Sequence, residues 1–542
     1  MIGLNKIGLN QVQLNRLRLN APFPTCRKMA GGGGSGDGFP VLPGDVTRWH
    51  FGGLTNEMMA AMDDPRIEDA DGKGRFLSFK NFAWKGMSGV GGYGDENYQT
   101  FYKFTLDDYV FIASPPGVEH MNFTFRVTGL QPGNKLTLAF FGTTNTVYGT
   151  WDKDGIYTVN SAVVEVGKPV YFYNGYGSTR GEFTIEILPL YPGALVFDGV
   201  DDYGTCNNFP ILTKEKGYTV VALRQYLVEK STAYLTANGD SISNTSFIFE
   251  GNNYKDTWNF GRVSPIQASR ILATQTSKQY GGVKLNIGTN AEGSNLLQVG
   301  KWSKSYSNVA IWELVFLDHD ATEEELTKIK DYFVKTYPWL FPDQAWTVVG
   351  KTNEDEDRAT IANITGNGNN LVLSNFGFIE GSGYNKEGEY AGYLVTDGVD
   401  DEVRSAAFTL NEDWTIVGNW EFITNENKNA GLTKVYSFYL YNRDYGIFVY
   451  KYINAGQGFS VEDVKSLKAI CSDGRIYLND WQEIRNNIEQ EATISKGVMA
   501  IGYFNRDFTK MAFKNLGIYN NQLLSKDECI KAYSYLQTLK AK

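Results

Sequence analysis

The chain repeats itself, and that repeat constrains its architecture more than any other feature. Trp49–Asn56 (WHFGGLTN) is echoed by Trp346–Asn353 (WTVVGKTN), and Ile67–Gly89 is echoed by Ile361–Gly383. Asp198–Asp202 and Asp397–Asp401 both read DGVDD. Tyr218–Val221 (YTVV) matches Trp414–Val417 (WTIV), and Thr322–Glu325 matches Ser525–Glu528 at the start of each last helix. Echoes in the same order at five places mean two copies of one folding unit.

Each copy opens on a Trp strand and a Gly-x-Gly turn, Gly72–Gly74 and Gly366–Gly368, followed by an Asn-Phe step at Asn81 and Asn375. A strand then runs into Asp-Gly, a turn signal. Alternating strands are expected at Tyr218–Leu227, Trp414–Phe422 and Ile476–Leu478, and closing apolar strands at Val309–Leu317 and Met511–Tyr519. The final element of each copy is a short amphipathic helix with Thr322 or Ser525 as N-cap and Glu325 or Glu528 three positions on, a capping box. Leu326, Ile329 and Phe333 mark one buried stripe; Cys529, Ala532 and Leu536 mark the other.

The spacing between copies is broken once. Gly74 to Asp198 spans 124 positions, whereas Gly368 to Asp397 spans 29. The first copy has therefore gained a domain-sized insert near 97–190, with strands expected at Tyr98–Phe104, Met121–Val127, Lys135–Phe141, Tyr157–Val166, Pro169–Tyr173 and Gly181–Leu188. Its turns are expected at Gln131–Asn134 and Lys153–Gly155. The division is an arm at 1–30, a Gly-rich linker at 31–44, a first unit at 45–340 carrying the insert, and a second unit at 341–542.

Composition fits this division. Aromatics make up 14% of the chain, with 33 Tyr, 33 Phe and 58 Gly, which suits aromatic strands joined by glycine turns. The net charge of −10 excludes nucleic acid as the main partner, because phosphate binding needs a basic face. Cys26, Cys206, Cys471 and Cys529 show neither metal spacing nor a disulfide framework. His50, His120 and His319 lie far apart. No apolar run approaches the roughly 18 residues of a membrane span. The N-terminus lacks the apolar core of a secretory signal, which implies synthesis in a cytoplasm without general export.

The first twenty residues follow another rule, apolar-x-Leu-Asn-x, with Leu4, Leu9, Leu14 and Leu19 each followed by Asn. Period five is neither a helix stripe nor a plain strand alternation. One such segment has no way to bury Ile2, Leu4, Ile7, Leu9, Val12, Leu14, Leu17 and Leu19 by itself, so it calls for a partner surface or identical neighbours. The flexible GGGGSGDG tract follows at 31–38. A disordered tail is the competing reading, although such tails are poor in Ile and Leu.

Val196–Tyr203 (VFDGVDDY), and Ile311–Phe333 with its late strand and capped helix, resemble laminin-G-like or concanavalin-A-like jelly-roll domains. The Gly-x-Gly and Asn-Phe segment resembles the version common in proteins of Bacteroides and their phages. The resemblance covers roughly 49–542 apart from the insert. It implies an all-β fold of two jelly-roll sandwiches, the first carrying a small inserted β-sandwich. It leaves function open, since this fold hosts lectins, enzymes and structural modules.

Candidate sites are few. Tyr148, Trp151, Tyr173 and Tyr176, read as loop aromatics of the insert, offer flat faces to sugar rings; the alternative is packing beneath the loops or onto another chain. The DGVDD acids offer clustered oxygens to calcium, but one short turn rarely supplies a full shell, and turn chemistry is the plainer reading. No metal, cofactor or catalytic residue is expected: the chain has no Glu-x-Asp-x-Glu strand, Ser–His–Asp set, zinc motif or phosphate loop.

Taken with the leader, the chain resembles a head or tail fibre of a Bacteroides-infecting phage virion, of the crAss-like group. That resemblance implies assembly in the host cytoplasm and docking of residues 1–30 on capsid or tail proteins. It also implies a homotrimer or other homo-oligomer and contact with cell-surface polysaccharide. A purely structural capsid decoration, a bacterial surface lectin and a glycan-degrading enzyme are the competing readings.

Overall fold

The computed structural model describes residues 38–541 except 94–100, 105–109, 114–119, 141–145, 164–169, 175–182, 214, 228–233, 241–246, 252–270, 278–293, 367, 424–438, 442–466, 479, 486–494, 502, 505–506 and 509. The fold is all-β, with every strand pairing antiparallel and three α-helices among the described residues.

Among the described residues, six large sheets pair into three sandwiches. In the first, Leu272–Thr276, Thr219–Tyr226, Asn308–Leu317, Leu195–Asp198 and Gly89–Val90 form one sheet in that order, with Val46–His50 also on Asn308–Leu317. The facing sheet runs Phe247–Gly251, Tyr234–Asn238, Leu297–Val299, Tyr203–Cys206, Phe76–Lys80, Arg66–Glu68. Trp49, Leu77, Phe197, Val220, Leu297 and Leu314 fill the space between, all fully buried. The second sandwich repeats the plan. Gln344–Thr347, Leu394–Val395, Met511–Asn520, Trp414–Phe422 and Leu467–Cys471 belong to one sheet, and Leu371–Ser374, Glu402–Ser405 and Ser495–Ile501 to the other.

The registers superpose the copies. Trp49 pairs with Leu314 and Trp346 with Leu516. A bulge follows Leu223, opposite Glu313, and another follows Asn419, opposite Asn515. The equivalences Glu313/Asn515 and Trp312/Lys514 follow.

Three repeated motifs are explained by one joint. The Asn56 side chain accepts from the Val90 N–H at 2.7 Å and donates to the Val90 carbonyl at 3.2 Å, standing in for a strand neighbour. Asn353 does the same to Tyr384 at 2.7 and 3.0 Å. Each Asn needs the adjacent glycine, Gly89 or Gly383, where φ is +149° or +153° and a Cβ would overlap the Asn oxygen and neighbouring backbone. Trp49 and Trp346 each donate their indole N–H to the carbonyl just after the Gly-x-Gly turn, of Arg75 and Asn369.

The insert hangs from this joint. The chain leaves at Gly91 and Gly92 and returns through Leu190 and Tyr191, whose N–H groups reach the Gly92 and Gly91 carbonyls at 2.8 Å. Its two sheets are Gly155–Val163, His120–Thr128, Phe183–Ile187, Phe101–Phe104 and Val110–Ala113, Val170–Asn174, Leu136–Phe140, Thr146–Trp151. Phe125, Leu136, Leu138, Phe172 and Ile185 form its core, all fully buried.

Helices α1 (Asn56–Ala60), α2 (Glu323–Thr336) and α3 (Lys526–Gln537) complete the described fold. Both expected capping boxes are present, and His319 donates its Nε2–H to the Glu325 carboxylate beside the first at 3.1 Å. Helices α2 and α3 lie on the outer faces of the two sandwiches. There Trp312, Val315, Phe333, Trp339, Val417, Tyr519, Tyr533 and Leu536 form one apolar cluster with Ile156 and Leu188 of the insert. Burial at roughly 25 cal/mol per Å2 makes such a shared layer a strong bond between units. Beneath α2, the fully buried Arg48–Glu313 ion pair at 2.9 Å is completed by Tyr332 and Tyr337, which contact Arg48 at 3.0 Å and Glu313 at 2.9 Å. The second copy has Ala345 and Asn515 in those places.

Candidate functional site

The insert meets the second sandwich at a groove of about 800 Å3, between the Lys153–Ile156 turn of the one and the Asp480–Gln482 hairpin tip of the other. The Ile156 N–H donates to the Asp480 carbonyl at 3.2 Å, and the Lys153 ammonium pairs with the Asp480 carboxylate at 2.9 Å. Arg126 and Thr128 line one flank; Lys526, Asp527 and Ile530, from the first turns of α3, line the other.

Trp481 also lines the groove. It is 1% exposed, packs edge-on against Tyr533 at 5.7 Å, and has φ of +61°. A bulky residue in the left-handed region is strained, and the surrounding core holds it there. Its buried indole N–H has no acceptor among the described residues.

The groove acids are already committed. Asp154 accepts from the Gly129 and Leu130 N–H groups at 2.8 and 2.7 Å, tying the insert's own turn. Asp480 accepts from Gln482 N–H at 3.0 Å as well as from Lys153. Asp527 sits in the first turn of α3, where a negative charge suits the helix dipole. Glycoside hydrolysis needs one carboxyl free to give a proton and a second free to attack or activate water. Asp154 and Asp480 are held in structural bonds instead.

Three of the four aromatics expected on loops lie on strands. Tyr148 and Trp151 lie on the Thr146–Trp151 strand, and Tyr173 on Val170–Asn174. The Trp151 ring is half-buried and meets Phe125 edge-on at 4.8 Å, so it caps the insert core. Tyr148 and Trp151 are thus strand residues and not loop residues: apolar contact draws Trp151 inward, and Gly149 leaves room where a Cβ would overlap its ring. Tyr173 is half-buried on the outer face, two positions from Tyr171. Tyr176 and the leader positions Ile2 to Leu19 lie outside the described residues, as does Cys26. Cys206, Cys471 and Cys529 are buried and unbridged.

The DGVDD acids do converge, as Asp198, Asp201 and Asp202 in one copy and Asp397, Asp400 and Asp401 in the other. Their oxygens serve the turn. Asp198 Oδ1 accepts from the Val200, Asp201 and Asp202 N–H groups; Asp202 accepts from the Ser88 hydroxyl at 3.0 Å and the Asp198 N–H at 3.1 Å. Asp397, Asp401 and Ser382 repeat the set. Burial pushes the Asp202 carboxyl up to about 7, against the pull of its hydrogen bonds, and raises Asp401 in the same direction. The latch explains why Ser88 and Asp202 recur as a pair, a link the separate sequence motifs do not reveal.

No family model and no curated protein matches this chain. Among solved structures, it is similar to Trypanosoma rangeli sialidase in complex with sialic acid, at 9% identity, over 80% of this chain and 81% of that one, with a TM-score of 0.25. A similarity of that size carries no argument about activity.

Proposed function

We propose that this protein is a non-enzymatic structural appendage of a phage particle, a head or tail fibre. In this reading residues 1–30 anchor it to other virion proteins, and the sandwiches are displayed for contact with cell-surface polysaccharide. The observation that carries the reading is the contrast between sandwiches joined by shared packing and a leader whose apolar positions call for shelter. The insert and both sandwiches share one apolar cluster, whereas the leader's repeated Leu and Ile positions precede a GGGGSGDG hinge. The commitment of Asp154 and Asp480 to structural bonds supports display over hydrolysis. The groove at the insert junction offers mixed donors and acceptors of the kind a polyhydroxylated chain uses. Weak contact there is multiplied by copy number on a particle.

Deleting residues 1–20 tests the anchor. Loss of the protein from purified particles, with an unchanged melting temperature, is the expected result; normal incorporation overturns it. A glycan array probed with the full chain tests the display role. Polysaccharide binding that falls on Lys153→Ala supports an adhesin, and no binding on any glycan leaves a purely structural decoration.

A further inference from the structure

The second sandwich buries two ammonium groups, one of them where its twin buries a tryptophan. Lys468 is 2% exposed and Lys514 is 9% exposed. They stand on the strands flanking Trp414–Phe422, on the outer face that α3 covers. Lys468 donates to the Tyr533 hydroxyl at 3.2 Å, and the Lys514 ammonium lies 5.3 Å from the Tyr393 ring centre. Among the described residues neither ammonium has a carboxylate partner. Asn419, on the strand between them, is fully buried beside the Tyr393 hydroxyl, and apart from that neighbour its amide has no hydrogen-bond partner among the described residues.

The first copy shows what this place looks like when it is only structural. Trp312 replaces Lys514, is fully buried, and donates its indole N–H to the Pro192 carbonyl at 2.8 Å. Leu223 replaces Asn419. The fold therefore does not require cations here, and two buried like charges oppose folding unless something of opposite sign joins them. Burial, and then the neighbouring Lys468 charge, bring the Lys514 ammonium down to about 8, so it is still mostly charged at neutral pH.

We infer that Lys468, Lys514 and Asn419 form an oxyanion-binding site on the outer face of the second sandwich, with Tyr393 and Tyr533 as its walls. The donors suit one carboxylate, sulfate or phosphate group: two ammoniums supply charge and the Asn419 amide supplies direction. Two sources fit that chemistry, a free inorganic ion and the acidic group of a sugar such as a uronate. The site is independent of the anchoring and display reading above.

The test follows thermal unfolding of the full chain at pH 7 and constant ionic strength, with chloride replaced by phosphate or by glucuronate. The wild type is expected to gain several degrees in a saturable way, and Lys514→Met is expected to gain none beyond the general salt effect. A response to glucuronate alone identifies an acidic sugar, and a response to both identifies any oxyanion. Equal shifts in wild type and variant, or no shift with either anion, overturn the site. If Lys514→Met fails to fold, 13C-dimethyl-lysine NMR of the wild type decides. The Lys514 titration should move up by a unit or more with the bound anion, and an unmoved titration overturns the site.

Discussion

At the scale of single residues, the repeated letters turn out to be partners. Asn56 and Asn353 are visible in the sequence as the ends of two matching octets, but their job, bonding a backbone 31 to 34 positions away, is not. The same holds for Ser88 with Asp202, separated by 114 positions because the insert intervenes. Asp202 gives this latch a pH signature. Its carboxyl titrates near 7 in the folded chain against an ordinary value of 3.8, so the folded state binds a proton that the unfolded state does not bind in between. Stability from this group therefore rises as pH falls from about 7 to about 4. The difference in urea midpoint between the wild type and Asp202→Asn should vary with pH across that window. A constant difference would mean that Asp202 titrates normally.

At the scale of elements, what periodicity and caps could reveal was legible, and what side-chain packing decides was not. The Trp414–Phe422 strand falls where alternation places it, and Asn308–Leu317 and Met511–Asn520 each begin or end within one residue of expectation. The Thr322 and Ser525 boxes form as the Ser/Thr-x-x-Glu spacing predicts. Replacing either cap by alanine should lower stability by about 1 kcal/mol, read as a shift in denaturant midpoint. Two insert strands, Val110–Ala113 and Thr146–Trp151, escaped the sequence reading. The first is four residues long, too short for a period to declare itself. The second contains Gly149, which interrupts the pattern yet exists to admit the Trp151 ring. The aromatics of that strand look like exposed loop residues only because the sequence gives no hint of the Phe125 face that Trp151 covers.

At the scale of the whole molecule, duplication and insertion were legible, and the seam that joins the three sandwiches was not. That seam depends on residues with no echo between copies: Ile156 in the insert, Trp481 at a hairpin tip, Ile530 in α3. Trp481 is the deepest of them. Trp481→Ala should cost about 3–5 kcal/mol, the usual range for emptying a buried aromatic site. Limited proteolysis should then cut the insert away from the second sandwich sooner than in the wild type. An unchanged cleavage pattern would assign the seam to the Lys153–Asp480 pair and the Ile156–Asp480 backbone bond instead.

The two ends of the inserted sandwich are pinned side by side, Leu190 and Tyr191 against Gly92 and Gly91. The second copy has the same threshold, Asn385 bonded to Tyr393 and Gly392, closed by nothing more than a short surface turn. A foreign module whose termini lie close together fits such a doorway without asking its host to move. The scaffold thus has two sockets and fills one, and new cargo has a ready-made berth in the other.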